Sequence, residues 1–322
     1  MPELPEVTTT VRGLQKVLPG LIFVDIWTDL AKKNNKIKQY KDTIKNDVFF
    51  QEFKKKIIGQ KVISIERRAK NILINITGGY TILIHLKMTG HLLFGEYKKV
   101  ISSDKEIINK INWVPKNPGP LNDSYNKYIH AVFTFSKKLH GKTSDNNLAF
   151  CDSRKFGKIT IFKTDDINTT FHLKNIGPEP LEISFTLSEF KSRLLLKPNS
   201  KIKTILMDQS IIAGIGNIYS DEMLWSSGIH PESNPKNIPS AQLLKLYKEM
   251  KEVLLKGIDL GGDSMSDYRN IDGLQGDFQK HHNVYKKQNT KCSKYGCHGV
   301  IIRKVINGRS AHFCNIHQKL FN

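Results

Sequence analysis

At 322 residues the chain is long enough to bury a good core and to divide into about two domains. Lys and Arg total 50 against 30 Asp and Glu, and the net charge of +20 points to a polyanionic partner, nucleic acid before any other. No run approaches the ~20 apolar residues of a membrane span, and MPELPEV has no apolar run of the kind a signal peptide needs, so a soluble, intracellular protein without a membrane partner is expected.

In chain order the first element is an amphipathic helix: Val7, Val11, Leu14 and Leu18 recur at helical spacing from beside Pro5, and Pro19-Gly20 stops them. Strand-like runs follow at 21–27, 61–68, 71–77, 80–86, 129–135 and 158–162, with Gly78-Gly79 as a two-residue hairpin turn. Many short strands joined by hairpins favour an antiparallel sandwich or barrel. Residues 31–56 and 98–127 break this pattern with polar, Lys- and Asn-rich sequence and read as surface insertions, partly mobile. Gly177-Pro178-Glu179-Pro180-Leu181 is a stiff connector, because its prolines forbid a continuing helix. Beyond it the period turns helical. Thr186 and Glu189 form a capping box ahead of Phe190, Leu194 and Leu195, and Ser240 precedes a helix carrying Leu243, Leu244, Tyr247, Met250 and Leu254, closed by Gly261-Gly262. The expected fold class is α+β and multidomain. An N-terminal antiparallel β-sandwich with flanking helices covers 1–176 and a hinge 177–183. A helical domain covers 184–283 and a metal-bound finger hairpin 284–322.

Several residues carry chemistry. Removal of the initiator methionine, normal before a small residue, leaves Pro2 with a secondary amine that titrates near ~8 and can form a Schiff base with an aldehyde-like carbon. Glu3 and Glu6 lie on one side of the first helical turn, where they can hold that amine and shuttle protons, although Pro and Glu are also ordinary residues for a helix start. Gly214-x-Gly216-Asn217 lacks the third glycine of a dinucleotide fingerprint and fits a tight turn into a helix whose backbone N–H groups can hold a phosphate. Three of the four cysteines crowd the tail, where Cys292, Cys297, Cys314 and His317 make two ligand pairs that suit one structural, tetrahedral zinc. Neighbouring His298 and His312 leave open which histidine completes the set.

MPELPEV resembles the opening of the formamidopyrimidine-DNA glycosylases, a family of 8-oxoguanine repair enzymes that includes the Nei branch. The likeness continues in order through Arg68-Ala69-Lys70, His85-Leu86-Lys87-Met88-Thr89-Gly90, Asp152-Ser153-Arg154-Lys155-Phe156-Gly157 and GPEPL. It then runs through Gly214-Ile215-Gly216-Asn217-Ile218-Tyr219, Ile229-His230-Pro231 and Gly308-Arg309-Ser310. The blocks span nearly the whole chain, and their ordered set is far more specific than any one. The tail departs from the family's four-cysteine pattern, having a longer first spacing and His317 as fourth ligand.

The resemblance implies that Pro2 is the nucleophile, Glu3 the general acid and Glu6 an active-site carboxylate, with Lys70 reaching a phosphate or the opened sugar. It implies that Met88, Arg154 and Phe156 fill the gap left by an extruded nucleotide. His130 corresponds to a DNA contact and Asn217, in a helix–two-turns–helix element, to a backbone grip, with Lys203 as a second phosphate contact. Arg309 matches a finger arginine that holds phosphate during strand cleavage. The implied protein is a monomer acting on damaged double-stranded DNA, a bifunctional glycosylase and AP lyase that excises oxidised purines and finishes by β,δ-elimination. Two alternatives stand beside it: a Nei-like preference for oxidised pyrimidines and a non-catalytic damaged-DNA-binding protein. The segment Gly261–Gln279 resembles the loop that encloses 8-oxoguanine, shortened in Nei enzymes, and favours purines; Pro2, Glu3 and Lys70 together favour an enzyme.

Overall fold

The structure, a computed structural model, describes residues 1–33, 40–101, 111–136 and 146–322, with the backbone of 138–139 and 142–143. Its contacts divide the chain into two units. The first comprises 1–2, 6–170 and 263–276, and the second 3–5, 171–262 and 277–322.

Helix α1 (Leu4–Val17) and strand β1 (Ile22–Thr28) open the chain, followed by α2 (Asp47–Ile57), β2 (Val62–Arg68), β3 (Asn71–Ile76), β4 (Tyr80–His85) and β5 (His91–Gly95). Next come the paired strands β6 (Tyr97–Ile101) and β7 (Ile111–Pro115), then β8 (Ile129–Ser136). A short pair β9 (Lys138–Leu139) and β10 (Lys142–Thr143) precedes β11 (Asn146–Cys151) and β12 (Lys158–Lys163). Two four-stranded antiparallel sheets result, ordered β1-β8-β11-β5 and β12-β4-β3-β2. Gly78 and Gly79, at φ +82° and +76°, make the β3–β4 hairpin turn, which needs positive φ at both places. Ile72, Ile74, Ile82, Ile84 and Ile159 of one sheet and Phe23, Phe133, Phe135, Leu148 and Phe150 of the other share a single core, so the unit is a sandwich. Val7, Val11, Leu14 and Leu18 of α1 join it.

Residues 31–56 are not simply a surface insertion. Asn46 caps α2 by accepting the Phe49 N–H at 3.0 Å, and Phe50, Phe53 and Ile57 enter the sandwich core. Burying each of these side chains contributes ~1.5–3 kcal/mol, which outweighs the polar composition around them. In 98–127 the β6–β7 pair and two 3-10 turns, Pro120–Asn122 and Ser124–Lys127, are formed. The rest of the expected insertions, 34–39 and 102–110, lies outside the described residues. Strands β5 and β11 were not expected from the sequence; at five and six residues each is too short for its apolar run to show a strand period.

The second unit contains α3 (Leu187–Leu194), α4 (Ile202–Leu206), α5 (Asn217–Ser227), α6 (Ser240–Asp259) and the hairpin β13 (Ile301–Ile306)–β14 (Arg309–Cys314). Thr186 Oγ1 accepts the Glu189 N–H at 3.3 Å, as the capping box predicts. Leu194, Ile205, Leu206, Tyr219, Leu224, Leu246, Met250 and Leu254 form its core. Gly257 lets α6 approach Tyr219, whose ring lies 2.5 Å from where a Cβ would stand. Among the described residues no helix is long and apolar enough to cross a membrane.

Candidate active site

Pro2 is buried, bonded to a Met1 that is 38% exposed. Glu3, only 2% exposed, accepts the Ile218 N–H at 2.9 Å and lies 3.5 Å from that of Tyr219, so its carboxylate sits on the N-terminus of α5, where the helix dipole favours negative charge. The glycines of the 214–217 turn leave room for Glu3 and for its neighbour Leu4. A Cβ on Gly216 would fall 2.4 Å from the Glu3 carboxyl carbon, and one on Gly214, at φ +84°, would fall 2.7 Å from Leu4. One N–H of the expected phosphate cradle is therefore taken by the protein itself, the Glu3 carboxylate accepting that of Ile218 at the start of α5. Asn217 stands first in α5, and its Oδ1 is buried with no partner among the described residues. In the first unit Glu6, 1% exposed, accepts the Asp263 N–H at 2.7 Å, while its carbonyl accepts the Tyr268 hydroxyl at 3.0 Å.

The sandwich supplies its share from the turns between strands. Ala69, at φ +53°, and Lys70 link β2 to β3, and Lys70 is 5% exposed rather than an open turn lysine. Beside it, His85 is pushed down to about 3 by burial and then by the charges of Lys87, Lys70 and Lys158, so it is neutral at physiological pH. Lys158, opposite His85 in the sheet, is drawn down to about 8 by burial and by Lys87.

Met88 and the pair Arg154–Phe156 lie on two turns that one carboxylate joins. Asp152, wholly buried, accepts the Thr89 hydroxyl, the Arg154 N–H at 3.2 Å and the Gly157 N–H at 2.6 Å. Gly157 is obligatory, since a Cβ there would come 2.1 Å from Phe150. Held this way, Phe156 stays 47% exposed with the Arg154 guanidinium 4.6 Å above its ring. An exposed phenylalanine on a rigid turn is no core residue. His130 is 8% exposed, and its Nδ1 donates to Asp29 at 2.9 Å, which fixes the ring.

Lys203 departs from expectation. It is 1% exposed and ion-paired with Asp221, with Ser220 Oγ at 3.3 Å, so its ammonium faces inward and does not present itself to a phosphate. The second Asp221 oxygen accepts both the backbone N–H and the Nδ1–H of His312, each at 3.0 Å. Adjacent Glu222 accepts the Asn283, Val284 and Tyr285 N–H groups at 2.8, 3.0 and 2.9 Å. Two successive carboxylates of α5 thus hold the segment leading into the hairpin and its return strand. Asn307 and Gly308, at φ +45° and +75°, turn that hairpin and leave Arg309 exposed at its tip.

The ligand atoms of Cys292, Cys297, Cys314 and His317 lie within 4.8 Å of one another, with Cys297 Sγ to Cys314 Sγ at 3.6 Å and Cys292 Sγ to His317 Nδ1 at 3.3 Å. Such spacings suit one tetrahedral metal ion with Zn–S near ~2.3 Å. His317 is the histidine in the cluster; His312 is committed to Asp221. The His317 Nε2 bonds the Trp225 carbonyl at 2.9 Å, and the Trp225 indole N–H points at Cys292 Sγ at 3.4 Å, which orients both ligands from α5.

Sequence reasoning missed Thr89, Asp152, Asp221 and Glu222 as supports. The first two lie inside the quoted motifs and the others directly after one, but support is a matter of burial, which motif residues do not reveal.

The chain matches the formamidopyrimidine-DNA glycosylase N-terminal domain over residues 1–159 and the formamidopyrimidine-DNA glycosylase H2TH domain over 176–269. It is 32% identical over 320 residues to the formamidopyrimidine-DNA glycosylase of Pelotomaculum thermopropionicum, covering 99% of this chain and 100% of that one. It is 33% identical over 319 residues to that of Carboxydothermus hydrogenoformans, with the same coverage. Among solved structures, a complex of Lactococcus lactis Fpg with DNA containing an abasic site aligns at TM-score 0.76 and 30% identity, covering 98% of this chain and 99% of that one. A complex of the same protein with DNA containing an oxidised pyrimidine aligns at TM-score 0.76 and 30% identity, covering 99% and 100%.

Proposed function

Because this chain belongs to the formamidopyrimidine-DNA glycosylase family, we propose that it excises oxidised purines from duplex DNA through a Schiff base on Pro2 and then cuts the strand. The observation that carries this reading is the fixed Glu3 carboxylate beside Pro2, for which Gly216 leaves the space. Once Met1 is removed, the Pro2 nitrogen attacks C1′ of the damaged nucleotide and the C1′–base bond breaks, the base leaving with a proton. Glu3 delivers the proton that opens the sugar ring, and Glu6 is the second carboxylate of the site. The resulting iminium at C1′ is an electron sink. Loss of a C2′ proton expels the 3′ phosphate, and a second elimination expels the 5′ phosphate.

Lys70 and Arg309 neutralise the departing phosphates, and Asn217 and His130 grip the backbone. Met88, Arg154 and Phe156 occupy the space of the extruded nucleotide; the exposed Phe156 with its stacked cation supports that role. Cys292, Cys297, Cys314 and His317 hold one structural zinc that keeps the Arg309 hairpin folded. The loop 263–276, packed with the sandwich unit, supports the purine reading over the pyrimidine one.

Borohydride reduction tests the proposal on duplexes carrying 8-oxoguanine, an oxidised pyrimidine or an abasic site. The expected result is a covalent complex mapped to Pro2, fastest on 8-oxoguanine among the base lesions, and none for a variant that keeps Met1. A cross-link on Lys70 with Pro2 unmodified overturns the mechanism, and preferential excision of the pyrimidine overturns the substrate.

A further inference from the structure

We infer that Asp123 and Arg269 form a latch by which the 120–125 segment fastens the loop 263–276, making the pair determinants of base specificity. The function of the latch rests on the reading that this loop encloses the damaged base; its existence does not.

Arg269 lies within the loop and is 1% exposed. Its Nη1 donates to the Ser266 and Tyr268 carbonyls, both at 2.9 Å, so the guanidinium first stitches the loop to itself. Its Nη2 donates to Asp123 Oδ1 at 3.3 Å, and Nε lies 3.3 Å from Oδ2, an ion pair outside hydrogen-bond geometry. The ring of Tyr125 sits 4.6 Å from the guanidinium carbon. Asp123 is itself fixed, because it caps the following 3-10 turn by accepting the Tyr125 N–H at 2.8 Å.

A second contact involves the same segment. Gly273 turns the loop at φ +84° with the Pro120 carbonyl 2.6 Å from where its Cβ would stand, so the loop backbone lies directly on 120–121. Two anchors, one electrostatic and one steric, thus join the loop to a stretch that sequence reading gave no purpose. Further attachments reach α1, a strand and the 152–157 turn: Asp263 and Tyr268 bond Glu6, the Ile271 carbonyl accepts the Phe94 N–H at 2.7 Å, and Asp267 accepts the Ser153 hydroxyl at 3.1 Å.

A buried guanidinium without its carboxylate is strongly disfavoured, and its cheapest escape is outward to water. Here that escape pulls on Ser266 and Tyr268, through which the loop would release. A loop that encloses a base discriminates only while its backbone is held, so the latch acts on base removal and much less on cleavage at an abasic site.

The test is amide exchange of residues 264–275 in the DNA-free protein, for wild type, Asp123→Asn, Arg269→Val and the double variant. Asp123→Asn should speed exchange roughly tenfold, and adding it to Arg269→Val should change little, since the coupled partner is already gone. Single-turnover 8-oxoguanine excision should then fall ~10-fold more than abasic-site cleavage in Asp123→Asn, with Asp123→Glu restoring much of it. Unchanged loop exchange, or additive single effects, overturns the latch. Faster exchange with equal losses on both substrates overturns its role in specificity. If the wild type itself shows no 8-oxoguanine preference, the proposed substrate fails, while the exchange measurement still decides the latch.

Discussion

The turns of the sandwich and the start of α5 use polar residues in opposite ways. In the 152–157 turn a buried aspartate holds backbone so that an apolar ring and a cation are pushed out, leaving Phe156 47% exposed. Around α5 the charges themselves go inside: Lys203, Asp221 and Glu222 are each 1% exposed. The first region exposes an apolar ring and a cation and hides the carboxylate that supports them. The second turns its charged groups inward, where they hold the segments packed on α5. A charged residue in a basic protein is therefore poor evidence of a ligand contact until its burial is known.

The contrast predicts a graded set of outcomes. The largest effect falls on the hairpin: Cys314→Ser, or chelation of the metal, should unfold residues 284–322 and weaken DNA binding at least ~10-fold, with exchange in the sandwich strands unchanged. One metal per chain by elemental analysis, lost in the variant, is the check. Next, Asp221→Asn should cost ~3 kcal/mol in denaturant unfolding, because Lys203 is left buried without its counter-charge, and Lys203→Met in that background should recover part of it. Asp152→Asn should cost less, ~1–3 kcal/mol, since the amide still accepts one of the hydrogen bonds, yet it should loosen the turn and slow excision.

A pH effect comes fourth. His85 sits at about 3 in the folded chain against an ordinary 6.5, so the unfolded chain binds the extra proton between those values. Its contribution is full above pH ~6.5 and is lost as pH falls toward 3, at up to ~1 kcal/mol per pH unit; His85→Asn should flatten that slope in thermal melts taken across the window. Phe156→Ala should be the smallest in stability, within ~0.5 kcal/mol, while excision of a base drops. A large loss of stability there would mean that the ring is packed and not displayed.

Much of the fold is written in the sequence because hydrophobic period and turn chemistry are local. The α1 stripe, the Gly78-Gly79 hairpin, the Thr186 cap and the long α6 all follow from neighbouring residues. Helix α2 was hidden because Phe49, Phe50, Phe53 and Ile57 are diluted by lysines on its outer face. In the candidate site the motif residues were legible, but the direction of Lys203 was not, because it depends on Asp221, and that partner becomes informative only when burial is known. The Arg269–Asp123 contact spans 146 positions and leaves no local trace. Long-range pairing of charges is what residue order conceals.

Trp225 has a consequence of an optical kind. Its indole touches the Cys292 sulfur and its carbonyl the His317 imidazole, both of the cluster that can hold a metal ion, whereas Trp27 and Trp113 stand 6.0 Å apart in the sandwich unit. With those two changed to phenylalanine, the remaining indole becomes a built-in fluorophore for the Cys292–His317 cluster. Thiolates quench nearby indoles, so its emission follows ligation in real time and turns the loading of the finger into a signal read without any added dye.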